Sequence, residues 1–142
     1  MILFKKKIKF NYITIDIDVS YQEFITDYIK QYANKLIMVN MKGYKIKEIK
    51  IRKSANENVH IWILFYKEYD LLTLLQLRAF LGDDAYRIRS DLRKIFSNQL
   101  NEFMILWDGK IEIKNGKRVD KKAGEWQNFI EIYEKQMRKI DK

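Results

Sequence analysis

Tyr12-Ile13-Thr14-Ile15-Asp16-Ile17-Asp18-Val19 sets two aspartates two residues apart among β-branched neighbours. Period-two alternation puts Ile13, Ile15, Ile17 and Val19 on one face of a strand and Thr14, Asp16 and Asp18 on the other. The carboxylates then point the same way, ~7 Å apart along the strand. Like charges that close raise each other's pKa, so a fold keeps them where a divalent cation, a basic ligand or water compensates. A solvated strand face is the plain alternative for this run taken alone.

Downstream, Ser20 and Glu23 form a capping box, and Tyr21, Phe24, Ile25, Tyr28, Tyr32 and Leu36 recur at helical spacing. Gly43 ends that pattern. Tyr44 to Lys53 alternates isoleucine with charge, and the polar turn Ser54-Ala55-Asn56-Glu57-Asn58 leads into Val59-His60-Ile61-Trp62-Ile63-Leu64-Phe65-Tyr66, the most strand-prone run. Asp70 caps a leucine-rich helix from Leu71 to about Leu81, Gly82 suits its C-terminal cap, and Asp83 starts a further helix through Phe96. A strand over Phe103 to Trp107 is expected next, with turns at Asp108-Gly109 and Asn115-Gly116 flanking Lys110 to Lys114. A last helix carries Trp126, Phe129, Ile130, Tyr133, Met137 and Ile140.

The resulting order, β-α-β-β-α(α)-β, predicts an α+β fold: a ferredoxin-like or RRM-type antiparallel sheet of split βαβ type, with helices on one face and a C-terminal hairpin plus helix. In that arrangement the first and third strands lie side by side at the sheet centre. Val59, Ile61, Ile63 and Phe65 then face the core, while His60, Trp62 and Tyr66 stand on the open face beside Asp16 and Asp18. Residues 1–142, 47% hydrophobic, suffice for one domain with one core. No run approaches the ~20 apolar residues of a membrane span, so a soluble, cytoplasmic protein without membrane contact is expected. The chain has no cysteine, so disulfides and thiolate metal sites are excluded, and a metal held by oxygen would be Mg²⁺ or Mn²⁺ rather than zinc. Lys and Arg outnumber Asp and Glu by 28 to 19, a surplus whose commonest cause in a small domain is a nucleic-acid partner. A solubilising surplus is the alternative.

His60 is the single histidine, and lone histidines are more often structural than catalytic. Here it is expected next to the aspartate pair. Ile15-Asp16-Ile17-Asp18, Asn58-Val59-His60-Ile61-Trp62 and Asp83-Asp84-x-x-Arg87-x-x-x-Asp91 together resemble the archaeo-eukaryotic primase (primase-polymerase) superfamily. Its small RRM-like palm carries an acidic hhhDhD strand, a later Ser-x-His and a third acidic residue. Asn58 stands where the family usually has serine. The resemblance implies that Asp16 and Asp18 coordinate divalent metals bridging nucleotide phosphates, that His60 contacts the triphosphate, and that Lys50 or Arg52 neutralises it.

In the segment from Leu81 to Arg93, Asp84, Arg87 and Asp91 share a helix face at i, i+3, i+7. Either this is a solvated ion-pair face, or Asp83 or Asp84 supplies a third metal carboxylate while Arg87 and Arg89 meet phosphate. Trp62 and Tyr66 could stack bases on the open face, unless the C-terminal helix covers them. Lys5, Lys6, Lys7, Lys45, Lys47, Lys50, Arg52 and Lys53 form the densest basic group. The expected partner is nucleic acid, single-stranded or a primer–template, and homo-oligomers are compatible with the sequence. Two alternatives use the same strands. One is a rolling-circle-initiator-like nuclease with Tyr86 as nucleophile, although His60-Ile61-Trp62 lacks that family's second histidine. The other is a non-catalytic single-strand-binding or structural protein.

Overall fold

The computed structural model describes residues 8–97 and 103–140. Its elements are antiparallel strands and helices of an α+β protein. Strand β1 (Lys9–Ile17) is followed by a helical turn, Tyr21–Glu23, and a π-helical segment, Phe24–Tyr28, that runs into helix α1 (Ile29–Met41). Then come β2 (Ile46–Lys53), β3 (Val59–Asp70), α2 (Leu71–Phe80), α3 (Ala85–Ser97), the ribbon β4 (Gly109–Lys114) and β5 (Lys117–Lys122), the two-residue β6 (Gln127–Asn128) and α4 (Phe129–Ile140). Local chemistry sets several boundaries. The Ser20 hydroxyl accepts from the Glu23 N–H at 3.2 Å, and the Asp70 carboxylate caps α2 through the Thr73 N–H at 2.8 Å. Asn115 and Gly116, at φ 53° and 75°, make the left-handed turn that suits the twist of the β4–β5 ribbon.

The main sheet has the order β1-β3-β2-β6, and all its pairings are antiparallel. Residues opposite one another share a face. Ile13, Ile15, Ile49, Ile51, Ile61 and Ile63 form one buried layer, which meets Tyr32, Leu36 and Val39 of α1, Leu71, Leu74 and Leu75 of α2, and Phe129 of α4 in a single core. On the other face two rows cross the sheet, Thr14–Trp62–Lys50 and Asp16–His60–Arg52. The alternation expected in β1 and β3 is therefore present, with Val59, Ile61, Ile63 and Phe65 all inside.

The expected sheet centre differs. Strands β1 and β3 are neighbours, but β3 and β2 occupy the middle, and β1 has no second strand partner among the described residues. Its outer edge is closed by the α2–α3 corner instead. The Asp16 N–H donates to Asp83 Oδ1 at 2.8 Å, the Asp84 N–H donates to the Asp16 carbonyl at 2.9 Å, and Arg87 Nη1 donates to the Thr14 carbonyl at 3.2 Å. These bonds satisfy backbone groups that would otherwise invite another strand.

The strand expected over Phe103 to Trp107 is absent too. Met104 has φ 61°, and both Phe103 and Met104 are buried in succession, whereas a strand would send them to opposite faces. This irregular segment crosses β1: Phe103 stacks on Phe10 at 5.7 Å, and the Thr14 hydroxyl donates to the Met104 carbonyl at 2.7 Å. Helix α4 packs beside α1, with Phe129 against Tyr32, and leaves the opposite sheet face open at Trp62 and Tyr66. Among the described residues no helix is long and apolar enough to cross a membrane.

Candidate active site on the open sheet face

Asp16 and His60, the first two residues of the row Asp16–His60–Arg52, line a cleft of about 240 Å³. Ser54, Asn56 and Asn58 of the β2–β3 turn wall one side, and Arg87, Ile105, Trp107 and Lys110 wall the other. The turn is braced by its own polar groups. The Ser54 hydroxyl accepts from the Asn58 N–H at 3.0 Å, and the Asn58 amide donates to Asp18 at 3.2 Å.

His60 is 4% exposed, and its ring orientation follows from its neighbours. Arg52 Nε–H donates to His60 Nδ1 at 2.9 Å, so Nδ1 carries a lone pair and the ring proton sits on Nε2. That Nε2–H points toward Asp16 Oδ1 across 3.9 Å, too far for a hydrogen bond. Burial, then the Arg52 charge, lowers the His60 pKa from 6.5 to about 4, so the imidazole is neutral at pH 7 and the contact with Asp16 is not an ion pair. Burial also raises the Asp16 pKa from 3.8 to about 6; Arg87 opposes this, while the carboxylates of Asp83, Asp84 and Asp18 add to it. The cleft thus holds a fixed donor and a carboxylate whose negative charge lacks full compensation.

The two shifts act oppositely on stability. An unfolded chain protonates His60 near 6.5, so its contribution is present above that pH and is lost as pH falls through about 4. The Asp16 contribution is present below 3.8 and is lost as pH rises through about 6. Over the shared interval they offset each other, and wild-type stability is expected to vary little. Asp16→Asn removes one partner of that balance. Its unfolding free energy should therefore climb with pH between about 4 and 6.5, by up to about 3 kcal/mol, because the buried His60 alone then sets the slope. Urea titrations at stepped pH read this directly, and a flat variant profile would contradict the assignment.

The other residues singled out in the sequence fall into separate groups. Asp18 lies one residue past β1, exposed, and does not reach His60. Arg52 was expected to neutralise phosphate, but its donors are committed inside the protein. Besides His60 it holds Asp108 at 2.7 Å and the Trp107 carbonyl at 3.4 Å, and its guanidinium lies 4.4 Å from the Trp126 ring centroid. It acts as the clamp that orients His60. Arg87, likewise expected at phosphate, spends its donors on Asp83, on the Thr14 hydroxyl and carbonyl, and on the Ile105 carbonyl, while its flank lines the cleft.

Asp84, expected as a metal ligand, does not line the cleft; its carboxylate caps the Tyr86 N–H at 2.8 Å. Asp83 is buried against Arg78 and Arg87. Arg89 is exposed, two residues and so about 200° around α3 from Arg87, away from the cleft. Lys50 lies 5.2 Å over the Trp62 ring, the two forming an accessible shelf next to the cleft row. Lys5, Lys6 and Lys7 lie outside the described residues. Among the described residues no group of three or more acidic or imidazole side chains is arranged to hold a metal ion.

Sequence reasoning missed Arg78 altogether. It is fully buried, with Nε donating to Asp83 and Nη1 to Asp91, each at 2.7 Å. Its signal was legible: it is the only charged residue of α2, and it continues the apolar row Leu71, Leu74, Leu75 at helical spacing. Asp91, read as a face residue of α3, is the buried partner that also accepts the Met104 N–H at 3.1 Å. This pair of ion bridges ties α2, α3 and the crossing segment together beneath the Asp16 edge.

Comparison of the chain with known protein families, with curated proteins and with solved structures finds no match.

Proposed function

We propose that the protein binds nucleic acid and that the Asp16–His60 cleft handles a nucleotide phosphate in a metal-dependent transfer, in the manner of a minimal primase-polymerase palm. The observation that carries this reading is the register pairing of Asp16 with His60, with the imidazole Nε2–H aimed into the cleft. The β1-β3-β2 core, with α1 crossing from β1 to β2, is the part of the ferredoxin-like or RRM-type arrangement that supports it.

Asp16, which lines the cleft, is the residue that would hold Mg²⁺ or Mn²⁺, with Asp18 at the cleft's edge, beside the lining residue Asn58, as the second carboxylate. Hard carboxylate oxygens suit either ion, and Mg²⁺ commonly takes one or two carboxylates and fills its other positions with water and substrate phosphate. The raised Asp16 pKa marks a carboxylate that a cation would relieve. Asp84 is not part of that set. A bound ion would supply charge neutralisation at the phosphates and activation of an attacking hydroxyl. The chain's own residues do the rest. His60 is a donor at Nε2 and so suits a phosphate oxygen rather than a metal, Arg52 keeps that tautomer in place, and Lys110 and Asn56 line the approach. Trp62, backed by Lys50, offers a stacking surface along the same strand.

Primer extension with labelled nucleotides in Mg²⁺ or Mn²⁺ tests the proposal, and extended products are the expected result. A covalent protein–DNA adduct lost in Tyr86→Phe would instead support the initiator-like reading. Tyr86 favours that reading less, because it lines a neighbouring cleft with Ser90 and Lys94 rather than the His60 cleft. Inertness of the wild type in both assays, with nucleic-acid affinity falling more in Trp62→Ala than in Asp16→Asn, would leave a binding module.

A further inference from the structure

The β4–β5 ribbon explains a part of the positive charge that the sequence reading placed elsewhere. Six cations, Lys110, Lys114, Lys117, Arg118, Lys121 and Lys122, stand against Glu112 and Asp120, so this ribbon holds +4 of the chain's formal +9. None of its side chains is buried, and Ile111 and Ile113 are 60% and 76% exposed. A two-stranded ribbon with no covered apolar face is marginally stable in water, and exposed isoleucines add to its cost. Such an element is best accounted for by a partner that covers it.

The base of the ribbon is not free. Asp108 is gripped by Arg52, the Ala123 N–H donates to the Asp108 carbonyl at 2.6 Å, and Gly109 and Lys110 line the cleft. At Gly109 a Cβ would come within 2.9 Å of the Lys121 carbonyl, so the two strands close tightly there. The ribbon is thus an arm anchored at the cleft mouth.

We infer that this arm lies in the major groove of B-form duplex DNA and holds the duplex next to the Asp16–His60 cleft. A two-stranded ribbon fits that groove, which is about 12 Å wide. Cations occupy both of its faces: Lys110, Lys114, Lys117 and Lys121 are on one, Arg118 and Lys122 on the other, so both groove walls of phosphate are within reach. The pairing Ile111–Asp120 and Ile113–Arg118 places a charge opposite each isoleucine on the same face. That argues against an apolar membrane-inserting face, because both charges would have to enter hydrocarbon. In the groove, by contrast, isoleucine can meet thymine methyl groups while its charged neighbours meet base edges and phosphates. A-form RNA offers no comparable major groove. From the proposed function the inference takes only that the partner is nucleic acid.

The test compares wild type with the triple variant Lys114→Ala, Lys117→Ala, Lys121→Ala in the full-length protein, the first two at exposed positions and Lys121 half-buried beside Glu112, by anisotropy of a labelled B-form DNA duplex, a single strand of it and an RNA duplex. Expected is a loss of at least about tenfold for duplex DNA and a log K against log salt slope shallower by about 0.9 for each phosphate contact removed, with smaller losses for the other two probes. Unchanged duplex binding would overturn the inference, as would equal losses on all three probes. Two further results would also overturn it: loss of binding to phosphatidylserine vesicles with DNA affinity intact, or loss of a concentration-dependent dimer with DNA affinity intact. Failure of the cleft reading is separately visible, since it would show as no response of the His60 imidazole to Mn²⁺ in either protein, whatever the duplex affinities.

Discussion

Replacing Arg78 by methionine should destabilise the protein by about 3–5 kcal/mol, because two buried carboxylates, Asp83 and Asp91, would lose the cation between them. Against the ~5–15 kcal/mol typical of a whole domain, that approaches loss of the fold. The reason is the asymmetry of buried charge: making the bridges gains little net free energy, but removing Arg78 leaves buried Asp83 with only Arg87 as its cation and buried Asp91 with only the longer Lys94 contact and the Met104 N–H. A lysine should not rescue, since a point charge cannot serve two carboxylates from one planar fork. Arg118→Met, which breaks an exposed pair with Asp120, supplies the contrast and should cost less than about 1 kcal/mol. Urea midpoints read both variants, and a small cost at Arg78 would mean that the pairs with Asp83 and Asp91 are not formed in solution.

The second large effect concerns activity. If Asp16 holds the metal of a phosphoryl-transfer site, Asp16→Asn should lower the rate of nucleotide incorporation about 10³-fold, the equivalent of several kcal/mol of transition-state charge stabilisation. Nucleic-acid affinity should stay level or rise slightly, because a negative charge leaves a phosphate site. Unfolding free energy at neutral pH should rise, since the amide is not penalised by burial as the carboxylate is. Gain in stability with loss of rate separates a functional carboxylate from a structural one. Equal losses of rate and affinity would place Asp16 in binding alone.

Much of the site's placement was legible in the chain because it rests on period-two alternation in two runs. Once Ile13 and Ile15 are inside, Asp16 must face out, and the same holds for His60 between Val59 and Ile61. The caps at Ser20 and Asp70 and the Asn115-Gly116 turn are equally local signals. What the sequence hid is what depends on distant partners. Arg52 looks like a free cation on a strand, and only the arrival of Asp108 and Trp126 from 50 or more residues away makes it a clamp for His60.

Trp126 itself was assigned to the last helix by its spacing. The helix starts later, at Phe129, because the Asn128 side chain accepts the Glu131 N–H at 3.1 Å and so caps it. The run Phe103 to Trp107 reads as a strand by composition, yet it has no alternation, and the left-handed residue Met104 ends any extended path. The Asp83–Asp84 pair read as one acidic feature. A corner that must close the edge of β1 splits it into a buried bridge and a helix cap.

The protein's single histidine makes the central claim directly measurable. In ¹⁵N-resolved NMR the His60 imidazole should show the Nε2–H tautomer at pH 7 and titrate near pH 4. Substoichiometric Mn²⁺ should broaden its signals in the wild type, and Asp16→Asn should abolish the broadening while leaving the rest of the spectrum folded. Broadening that persists unchanged in Asp16→Asn, or a His60 signal untouched by Mn²⁺ with and without nucleoside triphosphate, would contradict a metal-dependent phosphate site at Asp16 and His60.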